Sequence, residues 1–281
     1  MREDRHRGFR DAHEDSEVAR GVPETPQTRA SAYRLAFADP DFIYRDELRP
    51  VRLQLELLKP ELLMAEADVR STVVLFGGAR IRPPAETGAT APGPMGALSH
   101  FYEEARRFAR MVTEASLAAG GTEWVICTGG GPGVMEAGNL GAAEAGGRSI
   151  GLSIVLPHEQ APNPYVTPEL CFNFHYFGIR KMHFLMRAAA VAVFPGGFGT
   201  LDETFEALTL IQTGRMEQIP VLLFGRDFWT RVVDFDALVE AGTISPDDLK
   251  LFRFVETADE AFAEMQGWEN AGVKRAEIPG R

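Results

Sequence analysis

The stretch AVAVFPGGFGTLDE, residues 190–203, passes from an apolar run into a glycine-rich loop and then into a segment typical of a helix. Its first five residues predict a buried β-strand, because they are apolar throughout and include β-branched valines. Glycines in the loop allow the backbone to approach a ligand closely. A helix starting there would present unpaired N–H groups and the positive end of its dipole. The stretch therefore predicts a strand–loop–helix unit that can bind a phosphate.

A second unit of this kind lies upstream in CTGGGPGVMEAGNLGAAEAGG, residues 127–147. Pro132 is expected to open the helix, since proline is favoured at the first helical position. The loop is either a tight turn without a ligand or a phosphate site, and three consecutive glycines exceed what a turn needs. The pattern differs from dinucleotide-binding and P-loop fingerprints, because no G-x-G-x-x-G reads in register and no Gly-Lys pair occurs.

The chain alternates between apolar runs and helical stretches from residue 71 onward. Strands are predicted at Thr72–Phe76, Trp124–Cys127, Ser149–Val155, Ala190–Phe194, Pro220–Phe224 and, more weakly, Leu251–Val255. Helices are predicted at about 98–119, 132–146, 178–188, 200–214 and 258–268. This pattern predicts a Rossmann-like, doubly wound parallel sheet in a three-layer α/β/α fold. Both glycine loops then lie at the same edge of the sheet, where they could hold one phosphorylated ligand.

Three regions are expected along the chain: a disordered tail at 1–30, a helical extension at 31–70 and a Rossmann-like nucleotide-binding catalytic domain at 71–281. Within the extension, Pro50 and Pro60 are expected to break residues 40–67 into short helices. We expect this region to pack on the core or on a partner subunit.

The composition favours a cytoplasmic protein that acts on a small molecule. The net charge of −11 repels nucleic acid and anionic membranes, so neither is an expected partner. No apolar run approaches the length of a membrane span, and the acid-rich start is unlike a targeting peptide. Cys127 and Cys171 are expected to be buried free thiols. His175 and His183 have poor spacing for a metal, and no metal or cofactor is expected.

Two groups of side chains near the glycine loops are candidates for chemistry. Glu203 follows Thr200 by three residues, so it is either the carboxylate of a capping box or a catalytic carboxylate. Arg180 is placed near the start of a helix, where the dipole disfavours a cation, and this favours an anion-binding role. Lys181, His183 and Arg187 either extend that basic cluster or form a solvated helix face.

The sequence resembles the LOG ("Lonely guy") family of cytokinin riboside 5′-monophosphate phosphoribohydrolases, whose members are often labelled lysine decarboxylases. PGGFGTLDE is similar to the family signature P-G-G-x-G-T-x-x-E, GGGPGVMEAG resembles its first glycine loop, and GIRKMHF resembles its Arg-Lys element. The match spans about residues 70–225. Beyond it, the chain looks like the longer bacterial subgroup and departs from the compact dimeric members. A homo-oligomer, dimer or higher, is therefore expected.

The resemblance implies a role for each matching position. Arg180 and Glu203 correspond to the family's catalytic pair. The implied substrate-binding residues are Gly129, Gly130, Gly131, Lys181, Gly196, Gly197, Phe198, Gly199, Thr200, Asp202 and Thr209. The implied reaction is hydrolysis of the N-glycosidic bond of a purine nucleoside 5′-monophosphate, either AMP or an N6-modified derivative as in cytokinin biosynthesis. The alternative is a carrier or sensor that binds a nucleotide or phosphorylated cofactor without hydrolysing it.

Overall fold

The computed structural model describes residues 10–84, 94–156 and 161–268. Contacts divide the chain into two units, Met1–Glu56 and Leu57–Arg281. The described part of the first unit contains helix α1 (Ala12–Arg20) and the short helix α2 (Pro40–Ile43). Helix α1 lies inside the region predicted to be a disordered tail, and none of its residues is buried. Residues 1–9 of that tail lie outside the described residues, and the division into domains stays a prediction.

Helix α3 runs without interruption from Arg49 to Glu66. The predicted break at Pro60 is therefore wrong. An interior proline costs a helix about 3 kcal/mol, because it removes one hydrogen bond and crowds the preceding turn. Pro60 and Met64 are both buried. Burial of this face offsets the cost of the proline, an effect that local sequence rules do not include.

The second unit is built on a seven-stranded parallel sheet with the strand order β4-β3-β2-β1-β5-β6-β7. The strands are β1 (Thr72–Phe76), β2 (Val125–Thr128), β3 (Ser149–Ile154), β4 (Cys171–Phe174), β5 (Ala188–Val193), β6 (Val221–Phe224) and β7 (Arg253–Val255). The helices that follow α3 are α4 (Pro94–Leu98), α5 (His100–Ala118), α6 (Val134–Glu144), α7 (Phe177–Met186), α8 (Phe198–Gln212), α9 (Arg226–Val232), α10 (Phe235–Glu240) and α11 (Ala258–Gln266). This is the predicted Rossmann-like α/β fold.

Alternate residues of the strands pack against helices on opposite faces of the sheet. On one face, Val74 and Phe76 of β1 belong to a core that also contains Phe184 of α7 and Ala207 of α8. On the other face, Val73 and Leu75 belong to a core that includes Phe108 of α5. The strands are thus covered on both sides, which explains why their sequences are apolar throughout.

The strand order places a topological switch point at the centre of the sheet. Strands β1 to β4 extend in one direction from β1, and the chain then returns to form β5 on the other side of β1. Ligands of open α/β sheets bind at the carboxyl ends of the strands beside such a point. Strand β4 is missing from the predicted alternation, because CFNF is short, lies at the sheet edge and includes the exposed Asn173.

Candidate active site

A cavity of about 340 Å³ opens at the carboxyl ends of β1 and β5, beside the switch point. Its walls come from the chain after β1, the first glycine loop, helix α7 and the start of helix α8. The predicted site residues that line it are Gly129, Arg180, Gly197, Gly199, Thr200, Asp202 and Glu203. The fold therefore brings the two predicted catalytic residues into one cavity with parts of both glycine loops.

The other predicted site residues do not line this cavity. Gly130 and Gly131 line a neighbouring space of about 180 Å³ with Ser153 and Asn173. Phe198 is 91 % exposed at the start of α8. The remaining residues outside the lining are Lys181, Gly196 and Thr209.

Several lining residues were not singled out from the sequence. Gly77 and Gly78 follow β1 directly and form the floor of the cavity at the switch point. A methyl group on Gly77 would lie 2.6 Å from a side-chain carbon of Val134, so the close approach requires glycine. Two adjacent glycines after an apolar strand were the available signal. The apolar wall comes from Met135, Ile154, Leu156, Phe177 and Phe184, and no local pattern marks these residues.

Helix α8 starts two residues earlier than predicted. Its N-cap is Gly197, and no side chain caps it. The prediction of a capping box formed by Thr200 and Glu203 is therefore wrong, because both residues lie inside the helix. The N–H groups of Phe198, Gly199 and Thr200 have no acceptor among the residues that the structure describes. They leave the positive end of the α8 dipole open beside the cavity.

Helix α6 presents its start differently. It begins at Val134 rather than at Pro132, and its N-cap Gly133 has φ 71°. The N–H group of Val134 donates to the carbonyl oxygen of Gly78 at 3.3 Å. This helix end is partly occupied by the chain itself. Of the two glycine-rich helix starts, the one at α8 is the more open.

Glu203 is a buried carboxylate without a local partner. It is 7 % exposed, and its Oε2 atom has no hydrogen-bond partner among the described residues. Burial raises its pKa to about 7, Glu206 and Asp202 act in the same direction, and Lys181 and Arg180 oppose the rise. A carboxyl group that titrates near neutral pH in a cavity is suited to acid–base or electrostatic catalysis.

Arg180 lines the same cavity and is fixed by contacts with β3 and with a ring of its own helix. Its Nε donates to the carbonyl oxygen of Leu152 at 2.7 Å, and its Cζ lies 5.1 Å from the ring centre of Phe184. A methyl group on Gly129 would lie 2.7 Å from Nη2 of Arg180. The first glycine loop thus makes room for the guanidinium, which is always charged and suits an anionic ligand.

Lys181 forms ion pairs with two carboxylates of α8. Its Nζ lies 2.8 Å from Oε2 of Glu206 and 3.0 Å from Oδ2 of Asp202. Burial lowers the pKa of Lys181, but the adjacent carboxylates of Glu206 and Asp202 outweigh this effect and raise it overall. Glu206 was not recognised from the sequence, because its partner is 25 positions away (206 minus 181).

His183 and Arg187 contact helix α3 rather than the cavity. The side chain of His183 is fully buried, and its Nδ1 lies 3.5 Å from Oε1 of Glu61. Arg187 forms an ion pair with the same carboxylate. These two residues of the predicted basic cluster hold α3 against the end of α7. Neither interpretation made from the sequence, a solvated face or an anion site, describes them.

A buried network of polar side chains supports the first glycine loop. Asn139 is fully buried, and its Oδ1 accepts from Oγ1 of Thr128 at 2.7 Å and from Nδ2 of Asn163 at 2.9 Å. Nδ2 of Asn163 also lies 3.1 Å from the carbonyl oxygen of Gly130 and 3.0 Å from that of Gly131. The carbonyl groups of the loop are thereby held toward the interior.

Asn139→Leu is expected to lower the free energy of unfolding by about 1–3 kcal/mol, because it removes the acceptor of the buried Thr128 hydroxyl and one acceptor of the Asn163 amide. The measurement is urea unfolding at equilibrium. The matched control is Asn173→Leu at an exposed position of β4, where the expected change stays within about 0.5 kcal/mol. Equal stability of the two variants would contradict a role for the network.

In the described part of the chain, no group of three or more His, Cys, Asp and Glu side chains is arranged to hold a metal ion. None of its helices combines the length and the apolar composition of a membrane-spanning helix.

A family model described as "Possible lysine decarboxylase" matches residues 135–265. The matched segment runs from the start of α6 to the end of α11 and includes both Arg180 and Glu203. No curated protein matches the chain significantly.

Solved structures of similar shape include two proteins whose titles name the molybdenum cofactor. The molybdenum cofactor binding protein from Rippkaea orientalis is 17 % identical, covers 70 % of this chain and 96 % of its own, and has a TM-score of 0.47. The molybdenum cofactor carrier protein from Chlamydomonas reinhardtii is 19 % identical with the same coverages and a TM-score of 0.45. The protein TM1055 is 23 % identical, covers 70 % and 98 %, and has a TM-score of 0.46. These values are too low to bear on ligand or activity.

Proposed function

We propose that this chain hydrolyses the N-glycosidic bond of a purine nucleoside 5′-monophosphate. The proposal starts from the family match, which supports membership of the LOG family. The products are the free base and ribose 5-phosphate, and the substrate is AMP or an N6-modified derivative. The observation that carries the proposal is Glu203, a buried carboxylate without a hydrogen bond to Oε2, which lines the same cavity as Arg180.

Cleavage of the bond between ribose and base passes through an oxocarbenium-like state, as glycoside cleavage does. The carboxylate of Glu203 would stabilise that positive charge or orient the attacking water. Water adds its oxygen to the anomeric carbon, and the base leaves with the electron pair of the broken bond and gains a proton. Arg180 stays protonated and is a poor proton donor, so its role would be to orient the nucleotide. The open N–H groups of α8 would bind the phosphate and fix the ribose by proximity.

The description "lysine decarboxylase" fits this site less well. A lysine that forms a Schiff base needs a lowered pKa. Lys181, which lies beside the cavity, has a raised pKa and is held by two carboxylates. We therefore do not propose decarboxylation.

Incubation of the purified protein with AMP and with N6-isopentenyl-AMP tests the proposal. Chromatography is expected to show equal amounts of free base and ribose 5-phosphate, and the ratio of the two rates gives the base preference. Absence of release, combined with protection of the protein against heat by AMP, would favour a carrier or sensor. Homo-oligomer formation and the lack of nucleic acid and membrane partners stay predictions.

A further inference from the structure

The ion pairs of Lys181 determine which carboxylate of α8 remains unpaired. Lys181 and Glu206 are the more buried partners, with side chains 16 % and 31 % exposed, whereas Asp202 is 61 % exposed. Asp202 and Glu206 are four residues apart and so lie one turn apart on the same face of α8. Lys181 therefore bridges that turn and directs its ammonium group at these two carboxylates.

Glu203 lies on the same turn, and its Oε2 has neither a hydrogen-bond partner nor an ion-pair partner among the described residues. Oε2 of Glu206 also lacks a well-aligned hydrogen bond there, but it lies 2.8 Å from Nζ of Lys181, so its charge is paired. Four charged groups influence the Glu203 carboxyl: Lys181 and Arg180 from α7, and Glu206 and Asp202 from α8. The chain after β1 contributes only Gly77, Gly78 and Ala79 to this cavity.

We propose that Glu206 is a positioning residue, which holds Lys181 so that the ammonium group does not pair with Glu203 and the Glu203 carboxylate stays free to face the ligand. The expected effect on turnover rests on the proposed function, but the positioning of Lys181 by Glu206 does not. Without the charge of Glu206, Lys181 would lose its more buried partner. Glu203, a buried carboxylate on the same turn, would then be available to pair with the ammonium group.

Glu206→Gln tests this inference, because it keeps the shape of the side chain and removes the charge. The ionisation of Glu203 is measured by ¹³C NMR of labelled glutamate carboxyl groups, with Glu203→Gln used to assign the signal. We expect Glu203 to titrate lower by about one pH unit in the variant, since a like charge is lost and a cation approaches. The pH–rate profile for AMP should move in the same direction, with kcat lowered about tenfold and KM changed little.

Asp202→Asn is the matched comparison, because it also removes one negative partner of Lys181 but from an exposed position, and its shift should be smaller. Loss of the like charge of Glu206 lowers the titration by itself, so the substitution is repeated in a Lys181→Met background, where only this direct effect remains. Positioning by Glu206 predicts a larger shift when Lys181 is present. If Glu206→Gln does not fold, Glu206→Asp keeps the charge on a shorter arm and should give a smaller shift in the same direction.

A Glu203 titration that shifts equally with and without Lys181 would overturn the inference. A larger shift with Lys181 present, in a protein that releases no base from any nucleotide, would support the positioning by Glu206 and reject the proposed hydrolysis. The two failures are therefore distinguishable.

Discussion

Turnover of AMP by Glu203→Gln is expected to fall about 10²- to 10³-fold, with the fold and the binding of AMP retained. The loss follows from removing a charge that stabilises the transition state, which costs about 3–4 kcal/mol of activation energy. Gln has nearly the same shape, and the N–H groups at the start of α8 are unaffected, so phosphate binding should persist. Steady-state kinetics gives kcat, and calorimetry with AMP gives the affinity. Near-normal turnover would remove Glu203 from the reaction.

The pH dependence of the same residue provides a second measurement. If the carboxylate is the active form, the wild-type rate rises as pH rises through about 7, where Glu203 titrates. About a tenth of the rate should remain one unit below that pKa. Glu203→Gln should show no such rise. A wild-type rate that is flat between pH 5.5 and about 8.5 would show that ionisation of Glu203 does not control the reaction.

The sign of the effect on stability is opposite to that on activity. The folded-state pKa of Glu203 is raised from 4.5 to about 7, so the folded protein binds this proton more tightly than the unfolded chain does. Ionising Glu203 in the folded protein therefore lowers the free energy of unfolding. This loss is absent at low pH, grows as pH rises from about 4.5 to 7, and is complete above 7. It is on the order of 3 kcal/mol. Urea unfolding should therefore show Glu203→Gln to be more stable than wild type at pH 8 and about equal at pH 4.5.

The sequence predicts the fold well because its strands are long apolar runs separated by glycines and helices. The bounds predicted for β1, Thr72–Phe76, are confirmed without change. The errors occur where a local sequence pattern is overridden by its surroundings in the fold. The T-x-x-E pattern in residues 200–203 predicts a cap, but the helix already begins at Phe198, because the extended backbone of Gly197 ends the loop there. Pro60 predicts a break, but tertiary burial outweighs its cost.

The site was predictable where its residues are consecutive and unpredictable where they are distant. Glycine loops and the Arg-Lys element are visible in short windows of sequence. The pairing of Lys181 with Glu206 joins two helices, and the contact of Asn163 with Asn139 joins a loop to a helix. In each pair the residues are about two dozen positions apart. No periodicity or spacing encodes such a pair. The geometry of the parallel sheet brings them together, and so they appear only in the folded chain.

Arg180→Ala is expected to lower turnover of AMP by about 10²-fold or more, because the guanidinium would orient the nucleotide and balance its negative charge.

Gly129→Ala tests the same role without changing Arg180. The added methyl group would lie 2.7 Å from Nη2 of Arg180 and 2.8 Å from Sδ of Met135. Both of these atoms lie at the far ends of flexible side chains, so the fold should survive while the guanidinium is displaced. A displacement of about 1 Å can cost up to 10²-fold in rate.

Gly178→Ala is the matched control, since it adds the same methyl group on helix α7, where nothing lies within 4 Å. Its turnover should equal that of the wild type. Normal turnover in Gly129→Ala together with a loss in Arg180→Ala would mean that the cation is needed but its position over the first glycine loop is not. Normal turnover in Arg180→Ala would show that the cation at this position is not needed. The open N–H groups at the start of helix α8 would then suffice to bind the phosphate, and Glu203 would act without help from Arg180.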